Sequence, residues 1–295
     1  MINLFDLHCD TIHRIVSEGK SIRNKDLNVN VEKLKKFDEY IGVFAIWIPP
    51  EFRGRRALDF FLNSHKKSSK ILKEINSVEK RKAILSVEGG SVLSGNLKNI
   101  DILAKCNIKI LTLTWNGSCE IGDGICVNNS SGLTNFGKKT IEQLKKNKII
   151  IDISHASEKL FYDVLKYSGE FLMASHSNSR HIFNHKRNLT DEQFNLIREN
   201  NGIVGINFCK NFLSKENSKI EDIFEHVEHF VSLSGENTVC IGSDFDGAEI
   251  IEEIDDISKI HKLYDFMLKK NYKEKLIRKI FFYNALNFFK KFDII

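Results

Sequence analysis

The strongest constraint on how this chain folds is a repeating alternation. Eight short β-branched or apolar runs recur at 2–8, 41–48, 83–88, 108–114, 149–154, 171–175, 203–208 and 238–243. Amphipathic helical patterns lie between or after them at 55–80, 137–147, 157–167, 190–200, 220–233, 256–270 and 272–291. Residues 9–40 read as a short helix, a loop and another helix, the weakest unit of the series. Strands separated by helices pair in parallel, because a parallel crossover needs a long connection and a helix supplies it. Eight such units fit a closed α/β architecture, a (β/α)8 TIM-type barrel, better than an open sheet. "LTDEQFNLIREN" carries a helix start signal, with Thr190 as the cap and Glu192 and Gln193 in the first turn. The 2 Pro of the chain are adjacent, at Pro49–Pro50, and no low-complexity linker interrupts the pattern. Residues 1–295 are therefore read as a single domain.

In such barrels the chemistry gathers at the C-terminal ends of the strands. Those ends carry His8 and Asp10, Glu88, Trp115–Asn116, His155, His176, Asn207 and Asp244. One histidine there is ordinarily a core or loop residue, and one acid is ordinarily a helix cap. Five strands finishing at His, Asp or Glu form a pattern. In "DLHCD", Asp6, His8 and Asp10 fall on one face of an extended strand, with Leu7 and Cys9 on the other. Carboxylates and an imidazole brought together repel and desolvate one another unless a cation compensates.

Three histidines and three carboxylates exceed what one catalytic zinc takes from a protein. They suit two metals sharing a bridging carboxylate. His8 and Asp10 would hold one ion, His155 and His176 the other, and Glu88 would bridge. Asp244 is left for proton transfer or as an extra ligand, and Asp6 for orienting His8 or for a structural role. Imidazole with carboxylate favours two Zn²⁺, with other divalent metals (manganese, cobalt, iron) compatible.

Charge excludes other classes. The net charge is +5, and the lysines come in scattered pairs such as "HKKSSK" and "QLKKNK" at helix ends. That is a solvated surface and not a nucleic-acid stripe. The 6 Cys contain no C-x-x-C pair, which favours reduced thiols. No apolar run approaches the roughly 18 residues of a membrane span, and Asp6 interrupts the apolar start where a signal peptide would run. The expectation is a cytoplasmic protein without nucleic-acid or membrane partners.

With those residues in place, the chain resembles the renal (membrane) dipeptidase family of zinc peptidases over nearly its full length. The matching segments are "DLHCDT", "SVEGG", "LTLTWN", "GLTNFGKKTIEQLKKNKIIIDISHAS", "ASHSNSR", "HKRNLTDEQ" and "IGSDFDG", in the family's order. The intervals His155–His176 and His176–Arg187 also fit the family's pattern. The resemblance implies an amidohydrolase-type barrel with two zinc ions. His8 and Asp10 would sit on the first, His155 and His176 on the second, with Glu88 between. It makes Asp244 the proton-transferring acid and pairs Arg187 with the terminal carboxylate of a dipeptide, a task suited to a planar bidentate fork. It further implies tolerance of a D-residue or glycine at the C-terminal position, and a homodimer.

Three positions depart from the pattern. Trp115 stands where the animal enzymes carry a substrate-contacting His, as is common in the bacterial branch, so Trp115 and Asn116 are the expected substrate contacts there. Cys119 replaces an Asn and Lys186 a Pro. Two other readings compete: a related barrel hydrolase acting on another amide or a lactone, and a silent binding barrel. Arg187 weighs against the first, and the intact set of six metal-site residues against the second.

Overall fold

A computed structural model describes residues 1–215 and 217–295. Its strands are β1 (Leu4–Cys9), β2 (Tyr40–Trp47), β3 (Arg81–Glu88), β4 (Ile108–Thr112), β5 (Ile150–Asp152), β6 (Leu172–Ala174), β7 (Ile203–Ile206) and β8 (Val239–Ile241). Each pairs in parallel with the next, and β8 closes on β1, so the sheet is a barrel in chain order. All eight expected runs are strands, most of them shorter than the apolar pattern because the chain leaves the ladder before the polar residues at its top.

The helices follow from the same periodicity. Arg55–Asn76, Asn135–Lys146, Glu158–Ser168, Asp191–Glu199 and Ile220–Ser232 lie within a few residues of the expected spans. Thr190 caps its helix as expected: its side chain accepts from the Gln193 N–H, and the Gln193 side chain accepts from the Thr190 N–H. Such a cap contributes about 1 kcal/mol. The first connection holds helices Thr11–Glu18 and Val31–Leu34. Helices Asn99–Lys105 and Lys210–Leu213 were not anticipated. The final stretch departs from one continuous helix: it runs as Glu274–Arg278, a wider π-type turn over Lys279–Tyr283, and Asn284–Lys290.

Two apolar layers result. Leu85, Val87, Ile151, Val204 and Ile241 belong to the larger one, between barrel and helices. Phe5, Leu7, Val43, Ile84, Ile110, Ile150, Met173, Ile203 and Cys240 fill the lower interior, where Phe282, Phe288, Phe289 and Phe292 of the C-terminal segment meet them. Above this floor the inward positions turn polar: Ser86 and Glu88 on β3, Thr112 on β4, Asp152 on β5. Gly205 and Gly242 stand where a Cβ would collide with the Ser175 carbonyl, so the end of β6 can lean against β7 and β8 only because both are glycine.

Strand β1 breaks the strict alternation read from its sequence. Its register with β2 slips between Asp6 and Cys9. Leu7 joins the interior cluster while Cys9 joins the outer layer. A bulge of this kind re-aims one side chain, and here it frees His8 to turn into the site without Asp6. No helix among the described residues is long and apolar enough to cross a membrane.

Candidate metal centre

At the mouth of the barrel His8, Asp10, Glu88, His155, His176 and Asp244 converge, all buried. His155 and His176 follow β5 and β6, and their Nε2 atoms stand 2.9 Å apart. The other nitrogen of each ring is engaged. His155 Nδ1 meets Asn116 Oδ1 at 2.8 Å. His176 Nδ1 meets Ser175 Oγ at 2.7 Å, and that hydroxyl donates onward to Asp152 Oδ2 at 2.6 Å. With both Nδ1 atoms donating, both Nε2 atoms present lone pairs. Two lone pairs facing each other at this distance repel unless a cation lies between them. Burial, together with the nearby positive Arg187 and His8, holds both histidines well below the usual imidazole range, so both are neutral, the form that binds metal.

The other half is rich in charge. His8 Nε2 lies 3.3 Å from Asp10 Oδ2, 3.9 Å from Glu88 Oε2 and 3.9 Å from Asp244 Oδ1. Burial opposes a charge on His8, but Asp10, Glu88 and Asp244 outweigh it and push its pKa up to about 10. Asp10 Oδ1 is buried with no hydrogen-bond partner. Although Asp10 precedes helix Thr11–Glu18, its side chain makes no cap hydrogen bond; it turns to the cluster instead. Glu88 divides its carboxylate between the halves. Oε1 faces His155 at 3.0 Å and His176 at 3.6 Å, and Oε2 faces His8. Burial, with Asp10 and Asp244 beside it, raises the Glu88 pKa to about 8. An orphaned carboxylate oxygen, two opposed lone pairs and a carboxylate split between two ligand sets together fit two divalent ions.

The backbone is strained here. His155 and Asp244 adopt φ of 67° and 65°, a left-handed conformation that costs of order 1–3 kcal/mol in a non-glycine residue and recurs at functional sites. The Asp244 N–H donates to the His8 carbonyl at 3.0 Å, and Asp244 Oδ2 accepts from Asn207 Nδ2 at 2.9 Å. Burial, reinforced by Asp10, raises the Asp244 pKa. Asn207 is held in turn by Asn178, through its N–H and its carbonyl.

Arg187 is buried on the β6–β7 side. Its guanidinium lies over the Phe212 ring at 5.4 Å, one Nη reaches the His176 carbonyl at 3.5 Å, and Nε has no partner. Across the mouth stand Trp47 and Trp115, ring centroids 5.2 Å apart, with His13 edge-on to Trp47 at 5.0 Å. Trp47, Trp115 and Phe212 line a cavity of about 470 Å³ together with Asp10, Glu88, His155 and Asp244; Arg187 lies beneath Phe212 and is not part of its lining. Trp115 borders the cavity as a substrate contact would. Asn116 does too, but its side-chain oxygen is taken by His155.

Asp6 stands apart. It accepts from Ser243 N and Oγ, at 2.9 and 2.5 Å, and from the His8 N–H at 3.4 Å. It touches the His8 backbone and not its ring, so it ties β1 to β8. Sequence reasoning missed the braces Asp152 and Ser175, and it placed Asn207 and Asn116 at strand ends without their bonds to Asp244 and His155. The only linear signal for them is an Asp in "IIIDISH" and a Ser directly before His176.

The chain matches the family described as Membrane dipeptidase (Peptidase family M19) over residues 1–294. It is 26% identical to a solved structure described as the dipeptidase AC, a metallo peptidase, with TM-score 0.88 and 98% of each chain covered. A metallo peptidase from Rhodobacter sphaeroides, liganded with a phosphinate mimic of the dipeptide L-Ala-D-Ala, shares the fold at TM-score 0.89 and 24% identity, over 98% of this chain and 99% of that one. Among curated relatives, Dipeptidase 3 of Macaca fascicularis is 28% identical over 74% of this chain, a match that spans only 46% of the relative's length. The barrel, the convergent ligand set and the match along the whole chain agree: the chain belongs to the membrane dipeptidase family.

Proposed function

We propose that this protein is a zinc-dependent dipeptidase that cleaves dipeptides bearing a free C-terminal carboxylate. The observation that carries the reading is Glu88, whose two oxygens address two separate ligand sets within reach of a buried guanidinium lacking a partner at Nε. His8 and Asp10 would hold one ion, His155 and His176 the other. When bound, such a pair supplies Lewis acidity, acidifying a water and polarising the scissile carbonyl.

The chain's own residues do the rest. Arg187 binds the substrate carboxylate and so measures length, because only a short substrate places its scissile bond at the cluster. Phe212 stacks on that guanidinium and helps fix its plane. Asp244 takes the proton from the attacking water at its carboxylate and returns it to the leaving amine, acting first as base and then as acid. Asn207 fixes the rotamer of that carboxylate. Trp47 and Trp115 exclude water and receive the N-terminal side chain. Tolerance of a D-residue or glycine at the C-terminal position belongs to the same reading, as do a homodimer, a cytoplasmic location and a single domain over 1–295.

The test is a panel of L,L-, L,D- and glycyl dipeptides, assayed with metal content measured. Two ions per chain with dipeptide turnover are expected. Arg187→Ala should raise KM with little change in kcat. C-terminally amidated dipeptides should be poor substrates; equal cleavage of capped and free forms would instead favour a hydrolase of other amides. Full activity of Asp244→Asn with both metals bound would remove Asp244 from proton transfer.

A further inference from the structure

Outside the barrel mouth, His181, Asp191 and His229 bring three potential ligand atoms within 4.8 Å of one another. They come from three segments: His181 from the strap over 178–189 that carries Arg187, Asp191 from the first turn of helix Asp191–Glu199, and His229 from helix Ile220–Ser232. Asp191 faces both histidines. Its Oδ1 lies 2.8 Å from His229 Nε2, and its Oδ2 lies 4.0 Å from His181 Nδ1. The two imidazoles stack at 4.3 Å with 7° between their planes.

We propose that these three side chains form a separate site for a divalent transition metal, zinc above all, which staples the Arg187 strap to the two helices behind it. Two imidazoles and a carboxylate are a common protein ligand set for zinc, with water completing the tetrahedron. Bonds of about 2.0–2.1 Å set neighbouring ligand atoms roughly 3.4 Å apart. The His229–Asp191 contact is already shorter than that, and the His181–Asp191 gap must close slightly. The His181 side chain is 63% exposed and free to swing in. A mere hydrogen-bonded pair would need only Asp191 and His229. The two rings are stacked in parallel, so their in-plane lone pairs do not meet at one ion as they stand; a shared cation requires the exposed His181 to rotate out of the stack toward Asp191. Neighbouring charges do not compete: Arg180 is turned to Glu158, and Glu192 accepts from the Tyr162 hydroxyl.

The strap gives such a site a consequence. Its base is tied by Arg180 N to Leu189 O and Leu189 N to Asn178 O, each 2.8 Å, and by Ser179 N to His226 Nδ1 at 3.1 Å. His226 lies one helical turn before His229 on the same helix. A metal at His181 would fix the outer edge of a loop whose inner edge presents Arg187, so occupancy would act on KM. That last step rests on the carboxylate role proposed for Arg187; binding of the metal does not.

The experiment uses anomalous scattering at the zinc edge, on crystals of the full chain grown with zinc in excess, for wild type and His181→Ala. Wild type should show a peak between the three side chains, separate from those at the barrel mouth, and His181→Ala should lose that peak alone. In solution, zinc beyond the amount that fills the mouth should lower KM for a dipeptide in wild type and leave His181→Ala unmoved. No outer peak in wild type, or an undiminished one in His181→Ala, overturns the proposal. An outer peak beside an empty mouth supports it while defeating the two-metal reading, so the two failures are distinguishable.

Discussion

The two halves of the cluster are built by opposite means. The half made by His155 and His176 is neutral and braced in advance. Each ring is fixed through Nδ1, one by Asn116 and the other by a Ser175–Asp152 relay, and each directs a lone pair at a common point. The half made by His8 and Asp10 is crowded with charge. Its histidine holds a proton up to about pH 10, one carboxylate oxygen is orphaned, and its only brace, Asp6, grips backbone. Geometry does the work on one side and electrostatics on the other, so the same metal meets a site already aimed and a site that must first lose a proton. Glu88 alone belongs to both.

Removing Glu88 should therefore do the greatest damage. Glu88→Ala takes a ligand from each half, and kcat/KM should fall by roughly 10³-fold or more, since metal activation is worth several kcal/mol and each 1.36 kcal/mol is tenfold. Loss of both metals by elemental analysis would accompany it; an unaltered metal count would break the picture of a shared bridge.

Next comes Asp6, the brace of the charged half. Burial lifts its pKa from 3.8 to about 6 despite the donors from Ser243. The folded state thus binds this proton more tightly than the unfolded state does. The resulting stabilisation is complete below pH 3.8 and gone once the pH has risen through 6. It amounts to about 3 kcal/mol. In chelator-treated protein, urea unfolding of wild type and Asp6→Asn across that interval should diverge by about this much. Parallel curves would show that Asp6 carries no such load.

A smaller effect distinguishes the braced half. Asn116→Ala or Ser175→Ala frees a ring nitrogen, and zinc affinity there should drop about 10–100-fold, measured by competition with a chromophoric chelator. Smallest is a pH slope. Below about pH 10 a metal entering the charged half displaces the His8 proton, so its affinity should rise about tenfold per pH unit. The braced half, whose two histidines are already neutral, should show only the slope set by the Glu88 proton below about pH 8, a proton common to both halves. Equal slopes at the two positions would erase the distinction.

The barrel, and the convergence of the six candidate residues at its mouth, were legible in the sequence because both are written locally. Each strand is a contiguous apolar run, and each ligand sits where such a run ends. That Glu88 lies between the two histidine sets agrees with its place on the third strand. What stayed illegible depends on distant pairing or on small departures from regularity. Asn116 meets His155 across 39 residues, and Asp6 meets Ser243 across 237; nothing beside either residue announces its partner. The slip between Asp6 and Cys9 parts Asp6 from His8 and Asp10 and turns Leu7 inward, against the facing expected of "DLHCD", since periodicity assumes a regular pleat and a bulge is an exception to it. The short helix Asn99–Lys105 hid for another reason: seven residues are too few for a helical period to stand out.

The phenylalanine floor bears on traffic. Phe282, Phe288, Phe289 and Phe292 stopper the lower end of the barrel against Phe5 and Leu7. A guest that reaches the cluster must back out by the route it entered, and if it is cut there, both fragments queue at one doorway. If Arg187 clasps a carboxylate as proposed, the piece it holds would depart last, and the next guest would wait for it.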